Sequence, residues 1–123
     1  MRLLSRRRNE PGRPPEPTRV VLGELELAET RESRNRGLLG HAPLCPGQGL
    51  MIRPCRWIHM FGMAFPIDVI YVSRSGRIVA VTENLKPNRI DRPVFSALYV
   101  VELPAGEIKR TGLSVGDTVE VER

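Results

Sequence analysis

Short runs that alternate apolar and polar residues cover much of the chain, and they predict strands rather than long helices. In RVVLGELEL, from Arg19 to Leu27, Glu24 and Glu26 stand between apolar residues. This period of two is typical of a strand with one solvent-facing side. We therefore expect a first strand here.

Further extended segments follow, separated by turn residues. Ile67–Val72 and the segment IVAVTENL flank the turn SRSGR, which contains Gly76 and predicts a hairpin. The other predicted strands are Leu50–Ile52, Trp57–Phe61, the apolar part of LYVVELPAG and the closing VGDTVEVE. A long polar, Pro-broken loop is expected from Asn84 to Ala97.

One helix is predicted, in the segment ETRESRNRGLLG. Thr30 is a typical N-cap, Glu32 lies in the first turn, Arg34 and Arg36 lie near the end, and Gly40 follows. GEIKRTGL is long enough for a single further turn. With six or seven short strands, one short helix and no long βαβ unit, we predict an α+β fold. Its mostly antiparallel, barrel-like sheet would carry the helix packed on it.

The 123 residues are enough for one domain. Residues 1–18, MRLLSRRRNEPGRPPEPT, hold five Arg and two Glu, so they carry +3 of the formal net charge of +5. We expect them to be a disordered, basic, Pro-rich tail and residues 19–123 to be a single globular domain. No apolar run approaches the roughly 20 residues of a membrane span, and we expect a cytoplasmic protein.

Charge and motifs narrow the function classes. Nucleic-acid binding is not expected, because the basic residues are concentrated in the tail and no stacking aromatics accompany them. Polyanion binding through the tail stays open as one alternative. No GxSxG, HExxH, GxGxxG or phosphate loop occurs. These absences remove support from most large enzyme classes, and we expect no cofactor.

The cysteines and histidines do not have the spacing of a metal site. Cys45 and Cys55 form no CxxC motif, and His41 and His59 are far apart in sequence. We therefore expect no bound metal. In a cytosolic chain the two thiols would be free, although closure of a disulfide between them stays open.

Two polar residues stand inside the apolar stretch WIHMFGMAFPIDVIYV. Asp68 has apolar neighbours on both faces of its strand, so it should be buried and compensated, either by Arg34 or Arg36 or by backbone amides. The alternative is a catalytic or ligand-binding Asp. His59 fits either a hydrogen-bonded core or rim residue or a functional one.

Glu102 is a second carboxylate in an apolar strand, within LYVVELPAG. With Asp68, Arg34 and Arg36 it could form an internal charge network. With His59 and Asp68 it could instead do acid–base chemistry. The three acid–base candidates are therefore His59, Asp68 and Glu102, and the corresponding enzyme would be a small hydrolase using His59 and Asp68.

Methionines and aromatic residues cluster between Met51 and Phe65, where they could fill the core or line an adaptable groove. Our leading hypothesis is a non-enzymatic binding or accessory module with a groove near Trp57–Phe65. Its partner would be a small molecule or a protein, and the chain would be a monomer or weak dimer. The candidate ligand-binding residues are Arg34, Arg36, His59, Met60 and Met63.

Four blocks between about Val20 and Val121 resemble the domain of unknown function family 192, a group of small bacterial and archaeal proteins. The blocks are ETRESRNRGLLG, GQGLMI, IHMFGMAFPIDVIYVSRSGRIV and VVELPAGEIKRTGLSVGD. The third is similar to the branch that reads Ile-His-Thr-Phe-Gly-Met-Arg-Phe-Pro-Ile-Asp.

This chain departs from that branch at Met60, where Thr is usual, and at Ala64, where Arg is usual. An anion site that used this Arg in relatives would be weakened here. The resemblance implies a compact, β-rich α+β domain and supplies no function. The polar residues that it marks are Arg34, Arg36, His59, Asp68 and Glu102, together with Asp117.

Overall fold

The computed structural model describes residues 1–123 and shows a strand-rich α+β fold. The predicted fold class is confirmed, with eight strands instead of six or seven and a second short helix. The elements are β1 Arg2–Arg6, β2 Arg19–Leu22, β3 Glu24–Ala28, α1 Arg31–Arg36, β4 Gln48–Ile52, β5 Ile67–Ser73, β6 Ile78–Leu85, β7 Ala97–Pro104, α2 Glu107–Thr111 and β8 Thr118–Glu122. Neither helix has the length and apolar composition needed to cross a membrane.

The strands form two sheets, not one continuous sheet. The smaller sheet has the order β2-β1-β8 and the larger sheet the order β3-β4-β7-β5-β6. Pairing is antiparallel except between β3 and β4, which run parallel. The predicted hairpin is present as β5–β6, with Gly76 in the turn at φ 84°.

The beginning of the chain differs from the predicted disordered tail. β1 pairs antiparallel with both β2 and β8, and Leu3 is completely buried. Leu3 and Ser5 both face inward, which is the alternation that a strand requires. The prediction of a disordered tail rested on the net charge of the segment and did not use this short alternation. Residues 7–18 contain no helix or strand, but the Arg8 backbone N–H donates to Asp117 Oδ1 at 3.1 Å.

Two of the predicted strands differ from the structure. The strand expected from Arg19 to Leu27 is divided at Gly23, so that β2 joins the smaller sheet and β3 the larger. Trp57–Phe61 is a loop whose one β-bridge joins His59 to Ile90. Backbone hydrogen bonds flank this bridge, from the Asp91 N–H to the Ile58 oxygen at 3.0 Å and from the Met60 N–H to the Arg89 oxygen at 2.8 Å.

The core lies on both faces of the larger sheet, because its central strands β5 and β7 are apolar in almost every position. One face packs with the smaller sheet and α2, through Ile70, Val72, Val101, Leu103, Leu3 and Ile108. The opposite face packs beneath α1 and the loop after β4, through Ile67, Val69, Tyr71, Val100, Leu38 and Ile58. This second face carries the cleft described next.

Helix α1 begins as predicted and ends earlier than predicted. The Thr30 side chain accepts a hydrogen bond from the Ser33 backbone N–H, and the Ser33 hydroxyl accepts one from the Thr30 backbone N–H. The helix stops at Gly37, whose φ of 49° is readily available to glycine. No residue of α1 is buried, and Leu38 just after it provides the contact with the core.

Candidate functional site

A cleft of about 370 Å³ lies between α1, the loop after β4 and the face of β7. Its size is within the range of small-molecule sites in proteins. Arg34 and Arg36 border it on the helix side, Trp57 and Phe61 on the loop side, and Glu102 lies on the strand side. The cleft is therefore lined by both charged and aromatic side chains.

The loop side of the cleft is an exposed aromatic wall. Trp57 is 47% exposed and Phe61 is 51% exposed. The His59 ring lies between them, with its centroid 6.0 Å from that of Trp57 and 5.4 Å from that of Phe61. Such rings provide a flat, largely apolar contact surface for a ligand.

A buried hydrogen-bond network holds this wall against the sheet. The Trp57 Nε1–H donates to the Asp91 backbone oxygen at 2.7 Å. The Asp91 carboxylate in turn accepts bonds of 2.7 Å from the Tyr71 hydroxyl and from the Thr82 hydroxyl. Burial first, and then the bond to Asp91, raises the pKa of Tyr71 well above its usual range. The tyrosine thus stays a neutral donor.

Removing this donor should loosen the wall. We expect Tyr71→Phe to lower the free energy of unfolding by about 1.5 kcal/mol, because a buried hydrogen bond to a carboxylate is lost. Tyr99→Phe is the matched control, since Tyr99 is buried but its hydroxyl donates to no side chain or backbone group. Urea denaturation measures both, and equal effects would contradict the role given to the Tyr71–Asp91 bond.

Glu102 is a buried carboxyl group without a hydrogen-bond partner on one of its oxygens. It lies on β7 opposite Leu50 of β4 and Val69 of β5, and it is 5% exposed. Its Oε1 has no partner and lies 3.8 Å from the position that a Cβ on Gly37 would occupy. Burial raises the pKa of Glu102 to about 7. The group can therefore be neutral or ionised near neutral pH.

Arg34, which lines the cleft, has a second unpartnered buried atom. Its Nη1 donates to the Pro54 backbone oxygen at 3.4 Å, whereas its buried Nε has no partner. Arg36 is exposed in the last turn of α1, at the same rim. Cys55 lies between the two sides, and burial raises the pKa of its thiol. Cys45 and Cys55 are both free thiols.

The structure brings together five of the predicted site residues. Arg34, Arg36, His59, Met63 and Glu102 all line the cleft.

Met60 and Asp68 do not join this group. Met60 is completely buried in the core, because its side chain turns inward while its neighbours His59 and Phe61 face the solvent. Asp68 shares a sheet face with Ile70, opposite to the face that carries the cleft. The predicted pairing of His59 with Asp68 is therefore not formed.

Asp68 is fully buried, and backbone amides compensate its charge. Its Oδ1 accepts from the Asn84 N–H at 2.8 Å, and its Oδ2 accepts from the N–H groups of Gly106 at 3.1 Å and Ile108 at 2.9 Å. Of the two structural alternatives considered from the sequence, amide capping holds and the ion pair with Arg34 or Arg36 does not. The internal four-residue charge network is likewise absent.

Sequence reasoning missed Asp91, and it gave Cys55 no part in the site. Asp91 stands in a Pro-broken loop between Ile90 and Arg92, a context that ordinarily indicates a solvated acid. Its buried partner Tyr71 is twenty positions earlier in the chain. No local pattern in the sequence signals this contact.

Comparison with known proteins agrees with the fold. The chain is 44% identical over 104 residues to a UPF0127 protein of Pyrococcus abyssi, an alignment that covers 80% of this chain and 86% of the relative. A protein of unknown function from Novosphingobium aromaticivorans has a similar structure, with a TM-score of 0.77 and 23% identity over 97% of this chain and 84% of the other.

A second solved structure, from Sinorhizobium meliloti 1021, has a TM-score of 0.72 and 25% identity, and covers 97% of this chain and 92% of the other. That protein is described provisionally as a transcription regulator. The profile of the family DUF192, described as "Uncharacterized ACR, COG1430", matches residues 16–121. The chain therefore belongs to the DUF192 family.

Proposed function

We propose that this protein is a non-enzymatic binding module that holds a small organic molecule in the cleft. The observation that carries the proposal is that two residues lining the cleft each have a buried polar atom without a partner, the donor Arg34 Nε and the acceptor Glu102 Oε1. A buried polar atom without a partner costs about 1–3 kcal/mol. A ligand that satisfies both atoms would recover that free energy on binding.

The aromatic wall supports the same proposal. Trp57 and Phe61 offer apolar surface beside the two polar atoms, so the cleft suits a molecule with a polar end and an apolar body. Because Trp57 is the one tryptophan of the chain, its fluorescence reports on the cleft alone.

Anilinonaphthalene sulfonate is a suitable first probe, because it combines an aromatic body with an anionic group. We expect saturable one-to-one binding, detected as energy transfer from Trp57 to the probe. Alkylation of Cys55 with N-ethylmaleimide in the Cys45→Ser variant should abolish the signal, since Cys55 lines the cleft.

The matched control is alkylation of Cys45 in the Cys55→Ser variant, because Cys45 is exposed and lies outside the cleft. This modification should leave probe binding unchanged. Equal loss in the two alkylated proteins, or no saturable binding to the unmodified protein, would refute the proposal.

The hydrolase alternative is disfavoured by the placement of its two residues. His59 lies at the cleft, but Asp68 faces the other side of the sheet and both of its oxygens accept backbone hydrogen bonds. A catalytic pair must be within hydrogen-bond reach of a common substrate.

Polyanion binding through the N-terminal arginines is also disfavoured. Arg7 pairs with Glu16 at 2.8 Å and Arg8 lies 3.6 Å from Glu10, so these cations already have carboxylate partners.

A further inference from the structure

The chemistry of the cleft indicates which class of molecule it selects, an inference that rests on the proposed binding function. Arg34 comes from α1 and Glu102 from β7, so the two residues with unpartnered atoms line the cleft from different elements. They do not form an ion pair with each other, and burial alone sets the proton affinity of Glu102.

The charge balance of this space favours an anion. Arg34 and Arg36 are permanently cationic, and both border the cleft. Glu102 is the one carboxyl group there, and when it carries a proton the cleft has no negative charge to oppose an anion. Protonation also turns its hydroxyl into a donor.

We infer that the ligand is an organic monocarboxylate with an aromatic or branched apolar body, bound between Arg34 Nε–H and a protonated Glu102. One carboxylate oxygen accepts from the guanidinium and the other accepts from the Glu102 hydroxyl. The apolar body lies against Trp57 and Phe61. Both unpartnered atoms are satisfied, and the charge of the ligand is balanced by Arg34.

This arrangement couples binding to proton uptake. Two other side chains that can change charge line the cleft with Glu102, namely Cys55 and His59 from the loop after β4. Arg34 and Arg36 from α1 stay cationic. The strands on either side of Glu102 place the apolar residues Leu50 and Val69 opposite it. Burial raises the pKa of the Cys55 thiol, so it stays neutral. Because the pKa of Glu102 is about 7, the dissociation constant of the carboxylate ligand should rise roughly tenfold from pH 6 to pH 8.

The experiment compares three probes of equal size: phenylacetate, phenylacetamide and phenethylamine. Each is titrated into the full chain while Trp57 fluorescence is followed at pH 6 and pH 8. We expect phenylacetate to bind at least tenfold more tightly than phenethylamine at pH 6, and to lose roughly tenfold in affinity at pH 8.

Single substitutions show which side chain determines the affinity for phenylacetate and which determines its pH dependence. Glu102→Gln should bind phenylacetate with the same affinity at both pH values, because its amide donates without titrating. Arg34→Met should lose at least tenfold in affinity, and Arg36→Met, which removes the same charge without a buried Nε, should lose less. His59→Gln should keep the pH dependence, because this dependence is assigned to Glu102.

The outcomes also separate this inference from the proposed function. Tighter binding of phenethylamine, tighter phenylacetate binding at pH 8, or a pH dependence that persists in Glu102→Gln overturns the carboxylate inference and leaves small-molecule binding standing. The same holds if the three probes fail where anilinonaphthalene sulfonate still binds at the cleft. Failure of anilinonaphthalene sulfonate as well overturns the binding function itself.

Discussion

Replacing Asp68 by asparagine is expected to lower the free energy of unfolding by about 3 kcal/mol. An amide has one acceptor oxygen, whereas the Asp68 carboxylate uses two to accept from Asn84, Gly106 and Ile108. At least one buried N–H group therefore loses its acceptor, and the bonds that remain lose their charge assistance. In a chain of this length the melting temperature should fall by roughly 10 °C.

Glu83→Gln is the control for the change from carboxylate to amide, because Glu83 is exposed on β6. It should leave the melting temperature nearly unchanged. A melting curve of Asp68→Asn that matches the original protein would show that the three backbone contacts contribute little, and it would reopen a functional role for Asp68.

Replacing Glu102 by glutamine is expected to stabilise the protein at high pH and to have little effect at low pH. The pKa of Glu102 is about 7 in the folded chain and 4.5 for an unperturbed glutamate. Well below pH 4.5, Glu102 is protonated in both the folded and the unfolded state, so the difference in pKa does not affect the free energy of unfolding. Between these values the unfolded state ionises first, so stability falls as the pH rises, and the loss is complete above pH 7.

The size of this loss follows from the shift, since each pH unit corresponds to about 1.4 kcal/mol and the total is about 3 kcal/mol. Glu102→Gln removes the titration, so it should be about 3 kcal/mol more stable than the original protein at pH 8 and only about 1 kcal/mol more stable at pH 5. Urea denaturation followed by circular dichroism at both pH values measures this difference.

Glu120→Gln serves as the control for the change from carboxyl to amide, because Glu120 is exposed on β8. A stability difference of Glu102→Gln that stays constant between pH 5 and pH 8 would contradict a raised pKa for Glu102. It would also remove the physical basis for proton-coupled ligand binding.

Local patterns predicted those elements that depend on neighbours in sequence. The N-cap at Thr30 needs only Ser33 three residues later, and the β5–β6 hairpin needs only the turn at Gly76. Patterns failed where pairing depends on distant segments. β1 is a strand because β2 and β8 lie beside it, and Trp57–Phe61 forms only one β-bridge, between His59 and the distant Ile90.

The candidate site was also predicted only in part from the sequence. The sequence marked Arg34, Arg36, His59 and Glu102, because ionisable residues near apolar runs stand out in a printed chain. It also indicated that Asp68 must be buried and compensated. It did not indicate which of these residues would meet, since a carboxylate can be compensated equally by an arginine or by backbone amides.

The sequence by itself determined the α+β class, the β5–β6 hairpin and the burial of two carboxylates, because each follows from local periodicity or from the length of an apolar run. Only the tertiary structure decided which carboxylate is compensated. Alternation along the sheet directs Asp68 to the face where α2 presents free N–H groups, and directs Glu102 to the opposite face. There, α1 and the aromatic loop leave a cleft open above it, and Glu102 Oε1 stays without a partner.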